Sequence, residues 1–183
     1  MSPNCKVKIT NPLTDKEFLE GMQHGHFVRR PQHPGLIAFL HYTAVRVTEG
    51  LNMRKEQFHI TPTLLFPDIG HRLKGSRSTP PLKIPMDAPF VESIVDSVRA
   101  ARKKGRVWPY CRKTGYNIVH RVFHYPHYHR LSRITQFFLD GFTIPQVQSW
   151  TGLSLGALNY YIGLVDVSKM GASLQPKRLN RRT

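Results

Sequence analysis

Residues 127–161 read HYHRLSRITQFFLDGFTIPQVQSWTGLSLGALNYY, and their spacing decides the architecture. Leu131, Ile134, Phe138 and Leu139 recur at helical spacing, so one face of a first helix packs inward and holds Arg130 and Arg133 near the surface. His127 and Arg130 are three residues apart and present to nearly the same side, a pincer for one anion. Asp140-Gly141 ends this helix. Thr143 caps the next, with Pro145 soon after it, and Thr151-Gly152 breaks that helix before a further run from Leu155 to Leu164.

Composition bounds the partner. The 183 residues, 40% of them hydrophobic, suffice for one domain with its own core, followed by a basic tail over residues 166–183. Lysines and arginines outnumber acidic residues 27 to 11, a net charge of +16, which points to a polyanion and equally suits a ribosome-associated or merely solvated basic protein. Cys5 and Cys111 are far apart and form no CxxC, which argues against a disulfide scaffold and for a reducing interior. No apolar run approaches the ~18 residues of a membrane span and no signal pattern opens the chain, so a cytoplasmic location is expected.

Upstream of the first stretch, Thr14 and Glu17 form a capping-box pattern, residues 24–35 form a loop, and an apolar helix runs from Leu36 to Tyr42. Arg46 then falls in a short turn before a second helical run, with Glu49 at helical spacing. On spacing alone that is a partly exposed ion pair. Residues 58–66 are aromatic and β-branched, and with residues 80–85 they predict a small antiparallel sheet with a hairpin near Gly75. Asp87 caps a helix whose stripe is Phe90, Ile94, Val95, Val98 and Ala101. That helix ends in Arg102, Lys103, Lys104 and Gly105, and another begins at about Thr114. The expected class is mainly α with a small antiparallel β-sheet, α+β.

The order H-x-x-R, helix, turn, short helix, Gly, Tyr resembles the C-terminal half of the catalytic domain of tyrosine recombinases, or phage integrases, and looks most like their archaeal branch. HYTAVRVTEGLNMR is similar to the family segment in which R-x-x-E supplies the first catalytic arginine and its acidic support. The resemblance covers about residues 14–165. It implies that Arg46 is that arginine and Glu49 its support, and that Lys74 in RLKGSR is the mobile catalytic lysine, with Lys83 the fallback. It further implies that His127 and Arg130 hold the scissile phosphate and that Tyr161, or its rival Tyr160, attacks it. The product would be a 3′-phosphotyrosyl enzyme and a free 5′ hydroxyl, made without metal, ATP or other cofactor. The implied partner is double-stranded DNA, bound by a tetramer, in an archaeal cell or encoded by a virus or plasmid. The chain departs from the family in four ways. Leu153 stands where His or Trp is usual, Tyr161 follows it by eight residues rather than nine, Ala44 replaces a frequent Gly, and the usual N-terminal core-binding domain is absent.

The chemistry asked of such a set is physical. A tyrosine phenol ionises near pH ~10, so neighbouring cations must favour the phenolate. An arginine fork binds two phosphate oxygens at once, whereas a lysine is a compact, mobile acid. Arg112, Lys113 and Arg121 are candidates to grip DNA backbone. Three other readings stand beside this one. IPQVQSWTGLSLGALNYYI also fits a helix-turn-helix DNA-binding unit. His124, His127 and His129, with Cys111, have the donor types of a zinc site, though Pro126 interrupts the spacing. A degenerate recombinase that binds DNA without cutting is compatible with Leu153.

Overall fold

Nearly every side chain between Gln32 and Thr43 is apolar or small, and a helix that is hydrophobic all round belongs inside a protein. In the computed structural model, which describes residues 15–23, 32–70, 82–123, 127–163 and 165, this stretch is α2 (Gln32–Thr43), with Leu36 to Leu40 fully buried. It starts earlier than the apolar run alone suggests. His33 is itself buried there and Gln32 meets Tyr110, whose hydroxyl donates to Gln32 Oε1 at 3.0 Å.

The other elements surround it in chain order: α1 (Asp15–Met22), α3 (Val47–Leu51), a single 3₁₀ turn (Lys55–Gln57), β1 (Phe58–Ile60), β2 (Leu64–Pro67), β3 (Ile84–Pro85), α4 (Val91–Ala100), α5 (Arg112–Phe123), α6 (Tyr128–Leu139), α7 (Ile144–Thr151) and α8 (Leu155–Ile162). The strands form one antiparallel sheet in the order β1-β2-β3, with Phe58 opposite Pro67 and Leu65 opposite Ile84. This is the expected mainly helical fold with a small antiparallel sheet. β2 alternates as a sheet with one buried face requires, with Leu65 and Pro67 inward and Leu64 and Phe66 half-buried, whereas in β1 only Phe58 is buried and both His59 and Ile60 are exposed. The hairpin expected near Gly75 and the cap at Thr14 lie outside the described residues.

The first core joins α2 to the buried stripe of α4 (Val91, Ile94, Val95, Val98), to Trp108, whose ring centroid is 5.0 Å from Phe39, and to Phe18 of α1, stacked 3.9 Å from His41. α2 and α4 approach closely because Gly35 has no side chain. A Cβ there would stand 2.3 Å from Ser97 Oγ and 2.4 Å from the Ser93 carbonyl oxygen. α4 itself begins at Val91 and is not capped by Asp87. Phe90 precedes it with φ +61°, and the Tyr42 hydroxyl holds the incoming turn by donating to the Pro89 carbonyl at 2.9 Å. α5 begins at Arg112 rather than Thr114, since the Cys111 carbonyl already accepts from the Gly115 N–H at 3.0 Å.

A second core joins α6, α7 and α8 through Ile134, Phe137, Phe138, Val147 and Leu158, and Phe137, Phe142 and Trp150 form a ring cluster with centroids 4.9–5.8 Å apart. The two cores meet at the turn after α2. Ala44 packs into the second core and Val45 into the first. Among the described residues no helix is long and apolar enough to cross a membrane.

The close approach at Gly35 is testable. Gly35→Ala should lower stability by about 2–3 kcal/mol, because the added methyl meets backbone that must move. Gly156→Ala, where nothing lies within 4 Å, should be neutral or slightly stabilising. Urea denaturation of the two variants measures both, and similar midpoints would show that α2 and α4 are not closely packed.

Candidate active site

The turn between α2 and α3 carries the first arginine. Thr43 closes α2 by donating its hydroxyl to the Phe39 carbonyl at 2.6 Å, and Ala44 then takes φ +52°, a left-handed conformation that favours glycine. Ala44 accepts the strain with its methyl buried. Arg46 stands at the N-cap of α3. Glu49, one turn on, accepts from the Arg46 backbone N–H at 2.7 Å and from its Nη1 at 2.9 Å, so one carboxylate holds both ends of the residue. The Arg46 side chain is 51% exposed, and such a pair adds little stability. Its effect is to fix where the guanidinium points.

Arg130 lies elsewhere than its spacing from His127 suggests. It is 3% exposed, donating through Nη1 to the Ala44 carbonyl and through Nη2 to the Thr151 carbonyl at 3.0 Å. Both oxygens sit at helix C-termini, of α2 and of α7, where carbonyls lack intrahelical partners and the helix dipole is negative. A buried cation is tolerable when its donors are met in this way. The register of α6 explains the burial, because Arg130 is four residues before Ile134 and eight before Phe138, on the apolar stripe itself. Burial, followed by the charge of Arg46, pushes Arg130 below its ordinary pKa, while Glu49 and Tyr161 push the other way.

Tyr161 is thereby distinguished from its neighbour. It is half-buried on α8 against the second core, near enough to the Arg130 guanidinium to favour its charged form. Tyr160 is 61% exposed and meets Tyr161 edge-on at 5.7 Å. His127 precedes α6 at the surface. Partial desolvation, then the charges of Arg130, Arg46 and Arg112, hold its pKa below the ordinary value. Arg46, His127, Arg130 and Tyr161 are thus brought together, and Arg112 at the start of α5 joins them. Lys74 lies outside the described residues, and Lys83 is exposed just before β3. Leu153 packs on the second core, its N–H directed to Thr151 Oγ1 at 3.4 Å.

Spacing alone does not single out His129 for this neighbourhood. It is 1% exposed beside the Val45 backbone, next to the turn that carries Arg46, and burial lowers its pKa to about 3, with the Val45 backbone opposing and His127 and Arg130 adding to the shift. His41 is likewise lowered to about 3, by burial and then by Arg133 and His129. The helical stripe is the sequence signal that could have placed both Arg130 and His129. Among the described residues no group of three His, Cys, Asp or Glu side chains is disposed to hold a metal ion.

No family model and no curated protein matches the sequence. Solved structures do. XerA recombinase superposes with a TM-score of 0.63 at 14% identity, over 91% of this chain and 66% of that one. XerH site-specific recombinase, in a post-cleavage complex with palindromic difH substrate, gives 0.57 at 17% identity over 94% of this chain and 55% of that one. The Tn1549 transposon integrase, in complex with transposon right end DNA, gives 0.57 at 13% identity over 92% and 66%. The fold is that of a tyrosine recombinase catalytic domain. The chain spans about two thirds or less of the length of these recombinases. Within the tyrosine recombinase fold, the α7–Gly152–α8 unit spends Val147 and Leu158 on the core and turns Tyr161 toward Arg130.

Two expectations follow for the site. Arg130→Lys should cost about 1–3 kcal/mol, since an ammonium cannot serve both carbonyls and leaves one of them buried without a donor. Unchanged urea stability would show that the two helix ends do not rely on the guanidinium. His41 and His129 are neutral when folded and titrate near 6.5 when unfolded, so the unfolded chain binds more protons below that pH. Their stabilisation is complete above pH 6.5 and is lost as pH falls toward 3, by up to about 1.4 kcal/mol per pH unit for each ring. Urea midpoints should therefore be level from pH 8 to 7 and fall from 6.5 to 5, less steeply in His129→Leu. A level midpoint down to pH 5 would mean that the rings are not buried in the neutral form.

Proposed function

We propose that the chain is the catalytic domain of a site-specific DNA recombinase or integrase, of the archaeal type its motifs resemble, which cuts and rejoins double-stranded DNA through a 3′-phosphotyrosyl intermediate. The observation that carries this reading is the nearness of Tyr161 to the Arg130 guanidinium, with Arg46 close enough to act on the same charge and His127 close enough to feel both arginines. XerH is bound to its difH substrate and the Tn1549 integrase to transposon right end DNA, which supports DNA as the partner here.

In this mechanism the Tyr161 oxygen attacks the scissile phosphorus as its proton passes to solvent, a Tyr–O–P bond forms, and the P–O5′ bond breaks. Arg46 and Arg130 neutralise the equatorial oxygens as charge builds in the transition state. In this reading their work is divided. Arg130 spends two donors on helix ends and acts chiefly as a buried charge beside Tyr161, whereas the half-exposed Arg46 keeps donors free for phosphate. His127, held below its ordinary pKa, is neutral at pH 7 and offers one ring N–H. Lys74 supplies the proton for the leaving 5′ oxygen. Rejoining reverses these steps with a 5′ hydroxyl as nucleophile, so the bond energy is kept in the phosphotyrosine and no ATP is consumed. Strand exchange takes place in a DNA-bound tetramer.

A second reading rests on Leu153, which has no side-chain donor where the family usually has His or Trp. In it the chain binds DNA without cutting. One experiment separates the two: incubation with DNA carrying the native site, in excess chelator, followed by an SDS gel. The expected outcome is a covalent protein–DNA adduct in wild type and Tyr160→Phe and none in Tyr161→Phe, with Arg46→Ala slowing cleavage by about 10²–10³-fold while affinity falls far less. Absence of any adduct on the native site favours the non-cutting reading, and an adduct that survives Tyr161→Phe removes Tyr161 from the mechanism.

A further inference from the structure

The positive charge does not end at the candidate site. α3, which rises about 7.5 Å at 1.5 Å per residue, leads from Arg46 at its N-cap toward Arg54, three residues past its end. There Arg54 pairs with Arg106 in an isolated antiparallel bridge, and the Val107 N–H donates to the Met53 carbonyl at 3.0 Å. The chain between α4 and this bridge is Ala101-Arg-Lys-Lys-Gly-Arg106, with Arg102, Lys103, Lys104 and Arg106 all exposed. From the bridge it continues through Trp108 to Arg112, which lies within electrostatic range of His127.

This turn is fastened from below. Lys55 Nζ donates to the Arg99 and Ala101 carbonyls, each at 2.9 Å, and so caps the C-terminus of α4. Arg54 Nη1 donates to the Lys104 carbonyl at 3.0 Å, the Lys55 N–H to the Gly105 carbonyl at 3.1 Å, and the Gly105 N–H to the Arg102 carbonyl at 2.8 Å. Lys104 is held at φ +60°. Asp96, on the last turns of α4, pairs with Arg99 at 3.7 Å. Among the described residues Arg54, Arg102, Lys103, Lys104 and Arg106 have no carboxylate partner. Like charges on a fixed backbone repel one another, and an anion with evenly spaced charges relieves that repulsion at little ordering cost.

We infer that the Arg54–Arg106 platform with the 102–104 turn is a second phosphate-backbone contact, which holds the DNA flank several phosphates from the cleaved one. The inference rests on the DNA reading above. Its residues touch no reacting atoms, and they extend the footprint and fix the angle at which the duplex crosses α3. A run of four exposed cations over five residues recognises backbone charge and not base sequence.

The test is the salt dependence of duplex DNA binding for the whole chain, wild type against the triple variant Arg102→Gln, Lys103→Gln, Lys104→Gln, with Lys16→Gln on α1 as control. Removing one cation from a phosphate should lower the magnitude of the log K against log salt slope by about 0.9. The triple variant should therefore show a slope shallower by about 2–3 and bind at least tenfold more weakly at low salt, with an unchanged urea midpoint, while Lys16→Gln keeps the wild-type slope. If wild type binds duplex DNA and the triple variant has the same slope, the platform does not touch DNA and serves another polyanion, such as RNA, or none. If Lys16→Gln flattens the slope as well, the effect is one of net charge and the inference fails. If wild type binds no duplex DNA at all, the DNA reading itself falls.

Discussion

The structure depends most on one buried cation. Arg130 reaches from the apolar stripe of α6 to the C-terminal carbonyls of α2 and α7, and so ties the two cores together at the seam between them. Each partner is incomplete without the other. An unpaired guanidinium would not be tolerated at 3% exposure, and two helix ends would bury carbonyls without donors. The same interaction fixes the backbone of Ala44, two residues before Arg46. The position of the first arginine is therefore set by the second, through main chain and not through direct side-chain pairing.

That arrangement concentrates positive charge, and the surrounding residues are of types that allow it. Beyond the effect of burial, Arg130, Arg46 and Arg112 lower the proton affinity of His127, and Arg46 lowers that of Arg130. Glu49 and Tyr161 are the groups that favour the charged Arg130, and the histidines closest to the seam, His41 and His129, are held neutral by burial. In the proposed reaction an incoming phosphate would meet an Arg46 guanidinium already oriented by Glu49, beside the buried charge of Arg130.

Much of this is legible in the chain. The helical periods of 127–161, the turn at Gly152, the Arg46–Glu49 spacing and the strands of 58–66 all come from local rules, and the structure follows them closely. Local signals fail where long-range packing overrides them. Asp87 is a good cap by type, yet α4 starts at Val91 because Tyr42 holds the Pro89 turn from across the core. Arg130 is expected near the surface because charge usually is, although its own register with Ile134 and Phe138 points inward.

By itself the sequence determined the class of fold, the order of its elements and the residue types that could meet an anion, since period, capping and turn chemistry act within a few residues. Only the tertiary structure decided which of two adjacent tyrosines faces the guanidinium. Tyr160 and Tyr161 differ by about 100° of helix rotation, and which one turns inward depends on how Leu158 seats α8 against α6. It also decided that His129 is a core residue and Arg130 a bridge between helix ends. Those outcomes depend on carbonyls 86 and 21 residues away along the chain, and no local pattern encodes a partner at that distance.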